Sequence, residues 1–250
     1  MSATSFLLTL EADSGLPAPR PGQFLNIAVP ADVTLRRPFS VAGVSAPGSF
    51  DLLIEVRGKG TRALTDMPVG ASVEVLGPLG NEFSEPAADG ASLLVAGGIG
   101  VAGLRLLAQE LVSTGREVHA FVGARSADAL LHHAFPSPMK DERMTVETAT
   151  DDGSEGLHGT VTQLLERALN GVETPGHIYC CGPPAMIAAT ARIADAAGIR
   201  CEALLEEMMA CGVGACRGCV VATRSGYKTV CADGPVFDTS ELLLEELVGA

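Results

Sequence analysis

The stretch Cys211-Gly-Val-Gly-Ala-Cys216-Arg-Gly-Cys219, closed by Cys231, decides the reading of this 250-residue chain. Its spacing is C-x4-C-x2-C, then eleven residues and a fourth cysteine. That is the plant-type spacing of a [2Fe–2S] cluster, in which four thiolates hold two irons. Gly212, Gly214, Ala215 and Gly218 let a backbone close around a cluster and aim N–H groups at its sulfurs. A four-cysteine zinc site is the main alternative. Structural zinc sites commonly pair two C-x2-C knuckles, and only Cys216/Cys219 has that spacing. A disulfide framework fits poorly with an odd total of seven Cys and with an N-terminus that carries no secretory signal.

Composition narrows the function classes. A formal net charge of −13 argues against nucleic acid as a partner. Trp is absent and aromatics make up 4% of residues, so base-stacking platforms are missing. No stretch reaches the roughly 20 apolar residues of a membrane span. A soluble cytoplasmic protein with no membrane partner is expected, and 250 residues suffice for more than one packed unit.

Upstream of the cluster stretch, residues 89–200 alternate strands and helices. Ser92–Ala96 is a continuous apolar run of the kind buried in a parallel sheet. Gly97-Gly98-Ile99-Gly100 follows, then helical spacing from Val101 to Val112. Strand, glycine turn and helix together form a phosphate-binding arrangement. Further strands are expected at Glu117–Val122, Met144–Ala149 and His177–Cys181, and helices at Ala127–His133, Thr160–Leu169 and Ala185–Gly198. This rhythm predicts a doubly wound parallel α/β domain whose ligand lies beyond the strand ends, near Gly97, Gly98, Gly100, Arg125, Ser126, Cys181 and Gly182. Cys180 and Cys181 face opposite sides of one strand and are not a ligand pair. Cys201 reads as a buried small hydrophobe. None of the five His is given a role.

Residues 1–88 read as short strands: Ser5–Glu11, Gln23–Val29, Leu35–Val41, Phe50–Val56 and Ser72–Leu76, with one helical turn at Thr61–Met67. A small antiparallel β-barrel is expected. Two places in it suit a flat ligand carrying phosphate: Arg37-Pro38-Phe39-Ser40, with Pro38 marking an edge, and Arg57-Gly58-Lys59-Gly60-Thr61. Residues 201–250 form a third, small unit: the cluster loop, a hairpin across Ser225-Gly226 that returns Cys231, and a final helix at Glu241–Val248.

The order of these marks, with Cys181-Gly-Pro-Pro-Ala-Met186 and Cys231-Ala-Asp-Gly-Pro-Val-Phe237, resembles the ferredoxin reductase superfamily with a C-terminal [2Fe–2S] loop. Over nearly its whole length the chain is similar to the electron-transfer subunits of type B dihydroorotate dehydrogenase. The resemblance implies FAD bound by Arg37, Pro38, Phe39 and Ser40, lined by Ile54, Glu55 and Val56, with its phosphates at Gly60 and Thr61. It implies NAD at the glycine turn with its nicotinamide near Cys181 and Gly182, and a cluster on Cys211, Cys216, Cys219 and Cys231. It departs from the superfamily after Gly100, where Val101-Ala-Gly103 stands in place of a following Pro. Electrons would pass from the FMN of a catalytic partner, in a two-plus-two heterotetramer, through the cluster and FAD to NAD in pyrimidine biosynthesis, so no residue of this chain is expected to be catalytic. A subunit of a ferredoxin–NADP oxidoreductase or sulfide dehydrogenase, and a zinc-stabilised nucleotide-binding module, are the competing readings. The sequence leaves NAD against NADP open.

Overall fold

The computed structural model describes residues 5–12, 16–30, 34–86, 90–131, 134–135, 143–171 and 175–249. Strands β1 (Ser5–Glu11), β2 (Phe24–Ile27), β3 (Arg37–Ser40), β4 (Gly43–Ala46), β5 (Ser49–Glu55) and β6 (Val75–Leu79), with helix α1 (Lys59–Thr65), build the N-terminal unit. Its antiparallel architecture takes the form of two three-stranded sheets, β1-β5-β4 and β3-β2-β6. Leu25 and Ile27 of β2 and Phe50, Leu52 and Ile54 of β5 share one core between them. β3 is an edge strand, so Pro38 removes no ladder bond from a central position. β4 was not expected from sequence, and β6 begins three residues later than Ser72. Both boundaries follow from pairing: β6 takes its register from β2 (Asn26↔Leu76, Phe24↔Leu79) across a local shift.

The chain then enters a seven-stranded sheet. Its elements are β7 (Ala91–Gly97), α2 (Val101–Ser113), β8 (Val118–Ala124), β9 (Met144–Thr150), β10 (Leu157–His158), α3 (Val161–Leu169), β11 (Pro175–Cys181), α4 (Pro184–Ala197), β12 (Cys201–Leu204) and, much later, β15 (Val236–Asp238). The order is β10-β9-β8-β7-β11-β12-β15, parallel except for β15 against β12. β7 reads as uniformly apolar because both of its faces are covered. Leu93 and Val95 face one core and Leu94 and Ala96 the other. α3 starts at a capping box in which Gln163 accepts the Thr160 N–H at 3.0 Å. Gly198 ends α4 in the left-handed conformation, at φ 68°. The helix expected from Ala127 is one 3₁₀ turn, Ala127–Ala129, after which Leu130 is extended; His132 and His133 lie outside the described residues.

β13 (Val220–Thr223) and β14 (Gly226–Thr229) form the expected hairpin. The terminal helix divides into a 3₁₀ turn, Thr239–Glu241, and α5 (Leu244–Gly249). The C-terminal residues do not pack apart from the sheet. Cys219, Val221, Val230, Cys231 and Phe237 share a core with Leu93, Phe121 and Ile178. α2 also reaches into the N-terminal unit through Leu106. Among the described residues no helix is long and apolar enough to cross a membrane.

Candidate cofactor site

Three features lie side by side. The first is a crevice of ≈ 1020 Å³ at the carboxyl ends of the parallel strands, lined by Gly97, Gly98, Gly100, Arg125 and Gly182. The close approach of two turns shapes it. A Cβ on Gly100 would meet the Cys181 carbonyl carbon at 2.5 Å and the Gly182 nitrogen at 2.9 Å. Only glycine lets the turn after β7 lie backbone to backbone on the turn after β11. Cys181 itself is fully buried, with its Sγ turned towards Gly103 in the core beneath α2, and burial pushes its thiol up. The crevice receives Gly182, not the thiol. Arg125 lines the wall, and Ser126 is not among the lining residues.

The second feature is a cavity of ≈ 290 Å³ between the N-terminal unit and the sheet. Pro38, Phe39, Ser40, Ile54, Glu55 and Thr61 line it, all on the β3, β5 and α1 segments singled out by sequence. Arg37 and Gly60 pack on each other, Arg37 Nε lying 3.5 Å from where a Gly60 Cβ would be. Arg37 donates to the Leu35 carbonyl at 2.7 Å. Val56 is not among the lining residues. Thr61 Oγ1 accepts the Arg57 and Gly58 N–H groups at 3.0 and 3.2 Å, closing the entry to α1. An apolar slot edged by a hydroxyl and a carboxylate suits a flat heteroaromatic ring.

The third feature is the cysteine loop. Met209 and Pro235, which flank it in sequence, are part of the wall of the second cavity. Gly212 and Gly214 adopt φ of 74° and 78°, and Arg217 is left-handed at φ 53°. This turns backbone donors inward. Val213 and Cys216 N–H point at Cys211 Sγ at 3.5 and 3.4 Å, and Gly214 N–H at Cys231 Sγ at 3.0 Å. The Val213 and Cys216 amides pull the Cys211 thiol down to about 6, whereas burial pushes Cys231 up to about 12. Cys216 acts on the Cys211 thiol, and both Cys219 and Cys211 act on the Cys231 thiol, so the four lie within electrostatic reach along the loop and hairpin. Among the described residues no three His, Cys, Asp or Glu side chains converge on one ion position. Backbone amides aimed at the Cys211 and Cys231 sulfurs, on a loop with the C-x4-C-x2-C spacing, suit a two-iron centre.

The hairpin delivers Cys231 as expected: Val230 N–H bonds the Cys219 carbonyl at 2.8 Å, and Asp233 takes the Thr229 amide at 2.7 Å. Two asparagines outside the sequence reading fasten this loop to the N-terminal unit. Asn26 donates to the Cys211 carbonyl at 3.3 Å. Asn81 donates to the Val236 carbonyl at 2.8 Å and accepts the Val236 N–H at 2.9 Å. Nothing in their sequence neighbourhood marks them, because their partners lie 152 or more residues away. Glu206 and Glu207, which line both cavities, were missed for a similar reason: they follow a strand, β12, that short length and a buried Glu202 concealed.

Comparison with known proteins matches all three features. Residues 206–243 match the iron–sulfur cluster binding domain of dihydroorotate dehydrogenase B, residues 94–192 an oxidoreductase NAD-binding domain, and residues 2–83 an oxidoreductase FAD-binding domain. The chain is 38% identical over 232 residues to a Desulforamulus reducens protein, covering 90% of this chain and 87% of the relative. It is 36% identical over 248 residues to one from Enterococcus faecalis, covering 96% and 92%. Both relatives are described as dihydroorotate dehydrogenase B (NAD(+)), electron transfer subunit. Among solved structures, a chain of the NADH-dependent reduced ferredoxin-NADP oxidoreductase superposes with a TM-score of 0.83 at 29% identity, covering 100% of this chain and 90% of that one. The ferredoxin reductase of carbazole 1,9a-dioxygenase gives 0.67 at 26% identity, covering 79% and 62%.

Proposed function

Because the chain belongs to the family of electron transfer subunits of dihydroorotate dehydrogenase B, we propose that it carries electrons from a dihydroorotate-oxidising catalytic subunit to NAD+. A flavin exchanges electrons singly or in pairs, which lets it stand between a one-electron iron–sulfur centre and a hydride carrier. The chain's own residues supply position and environment. Cys211, Cys216, Cys219 and Cys231 hold the cluster, and the Val213, Gly214 and Cys216 amides stabilise charge on its sulfurs. Arg37, Pro38, Phe39, Ser40, Ile54, Glu55, Gly60 and Thr61 seat FAD. Gly97, Gly98, Gly100 and Gly182 seat the nicotinamide nucleotide, with Arg125 on the adenosine side.

The observation that carries this reading is adjacency: the cysteine loop borders the flavin-sized cavity through Met209 and Pro235, and that cavity shares its rim with the glycine crevice. The functional units are taken as 1–88 for FAD, 89–200 for NAD and 201–250 for the cluster. The partner is an FMN-containing catalytic subunit in a two-plus-two assembly, in the cytoplasm, serving pyrimidine synthesis. The likeness to the ferredoxin-NADP oxidoreductase chain supports a second reading, in which the electron donor is not dihydroorotate.

Aerobic co-purification with the catalytic partner separates the two. The expected result is about two irons and one FAD per chain, with dihydroorotate-dependent NADH formation that Cys216→Ser abolishes together with the iron. Iron- and flavin-loaded protein that never forms NADH from dihydroorotate overturns the first reading in favour of the second. Iron content and turnover unmoved by Cys216→Ser overturn both.

A further inference from the structure

We propose that Asp151 selects NAD+ over NADP+, its carboxylate accepting the hydroxyls of the adenosine ribose and rejecting a 2′-phosphate there; this rests on the nucleotide-binding role of the crevice proposed above. Sheet order fixes which end of the crevice holds the adenosine. The nicotinamide must lie at the rim shared with the flavin cavity, which Leu205 forms just past β12. The glycine turn between β7 and α2 receives the pyrophosphate. From there the sheet runs β7, β8, β9, away from β12. Neighbouring strands stand about 4.8 Å apart, so the end of β9 lies about 10 Å from the glycine turn, the length of one nucleoside. Arg125, just past β8, and Asp151, just past β9, line the crevice at that end.

Among the described residues that line the crevice away from the shared rim, Arg125 and Asp151 are the charged ones. Backbone bonds hold them side by side. Asp151 N–H donates to the Ala124 carbonyl at 3.1 Å and Asp152 N–H to the Arg125 carbonyl at 3.2 Å, which laces the turn after β9 to the turn after β8. The next carboxylate is committed elsewhere. Asp152 Oδ1 accepts the Ser154 N–H at 3.0 Å and the Ser154 hydroxyl, and Ser154 Oγ accepts the Ala127 N–H at 2.8 Å. Asp152 holds the loop and is not part of the crevice wall. The Asp151 carboxylate takes no hydrogen bond or ion pair among the described residues, so it is free to meet a ligand. A ribose diol presents two O–H donors to the two acceptor oxygens of a carboxylate. A 2′-phosphate brings acceptors only and a like charge, so it leaves Asp151 unpaired and repelled. Arg125 does not reverse this, because Asp151 balances its single positive charge at the same end of the crevice.

Equilibrium titration of the oxidised, FAD- and cluster-loaded protein with NAD+, NADP+ and 2′-deoxyadenosine NAD+ tests this without turnover. Wild type should bind NAD+ at least about 100-fold more tightly than NADP+. Asp151→Ala should weaken NAD+ about tenfold and tighten NADP+, while Asp151→Glu should keep the preference for NAD+. Removing the 2′-hydroxyl should cost wild type about tenfold and Asp151→Ala nothing, because the two losses are one contact. Asp152→Asn, which loosens the loop, should move NAD+ and NADP+ together and leave their ratio unchanged. Wild type that binds NADP+ as tightly as NAD+, a ratio that Asp151→Ala leaves in place, a ratio that Asp152→Asn shifts as far, or a 2′-deoxy loss that persists in Asp151→Ala would each overturn the proposal. Wild type that binds neither nucleotide would instead overturn the nucleotide-binding role beneath it.

Discussion

Asn26, in the middle of β2, donates its carboxamide N–H to the backbone carbonyl of Cys211 across 3.3 Å. The side chain is 1% exposed, and among the described residues its Oδ1 has no hydrogen-bond partner. β2 pairs Asn26 with Pro38 of β3, which lines the smaller cavity, so one buried amide ties that strand to Cys211. Gly212 accommodates the contact: a Cβ there would lie 2.5 Å from Asn26 Nδ2.

Replacing Asn26 by Ala removes the donor and leaves the Cys211 carbonyl unpaired. The net loss is about 1 kcal/mol, roughly a fivefold change in an equilibrium. Iron release to a chelator should quicken by about that factor, with FAD content unchanged. Release kinetics indistinguishable from wild type would show that the amide does not restrain the loop.

Gly100→Ala drives a methyl group into the Cys181 carbonyl. The two turns must separate, and the floor of the nucleotide crevice changes shape. NADH binding, read by titration of the flavin spectrum, should weaken by at least about tenfold, equivalent to about 1.4 kcal/mol. Iron and FAD contents should hold, because neither site includes that contact.

Arg105 of α2 and Asp51 of β5 form a buried link between sheet and N-terminal unit, 8% and 4% exposed. Arg105 Nη1 donates to the Ala42 carbonyl at 2.7 Å and stands 3.7 Å from Asp51 Oδ2. Asp51 also accepts the Thr9 hydroxyl at 2.8 Å. Arg105→Met leaves that carboxylate buried without its cation, a loss of about 3–5 kcal/mol. Thermal unfolding should fall by about 10 °C for a chain of this size. Adding Asp51→Asn should restore part of the loss; a strictly additive double variant would refute the coupling.

His177 stacks on Tyr179 with ring centroids 4.2 Å apart, 2% exposed. Burial, aided by Arg200, lowers its pKa to about 4. The unfolded chain therefore binds this proton first. Stability should drop as pH falls from about 6.5 to 4, by at most about 3 kcal/mol, and should be level above 6.5. Urea unfolding of wild type and His177→Phe at pH 7.5 and 4.5 measures it: the variant should lose less on acidification.

The parts of the fold legible in the sequence were those whose signal is local. β7, α2, α3 and the β13–β14 hairpin carry their own periodicity or turn residues, and their limits came within a few residues. β12 and β15 did not. Each has three or four residues, and each becomes a strand only because a neighbour supplies hydrogen bonds: Ile178↔Cys201 on one side, Ala203↔Phe237 on the other. Glu202 disguised β12 further, since its burial depends on Arg200 at 3.1 Å and the Ser84 amide at 3.0 Å. The Ser84 amide comes from a distant part of the chain.

Cysteine spacing singled out Cys211, Cys216, Cys219 and Cys231 as a candidate ligand set, because a tight loop of small residues and a short hairpin allow few other closures. Local sequence also pointed to Arg37–Ser40 and the Gly97–Gly100 turn, and Pro38, Phe39 and Ser40 line one cavity and Gly97, Gly98 and Gly100 the other. What tertiary packing decided is where these lie relative to one another: Asn26 and Asn81 set the cysteine loop against the flavin cavity, Gly100 sets one turn on another, and Glu206 arrives where the two cavities meet. Such long-range contacts follow from sheet order and shared cores. No short window of residues encodes them.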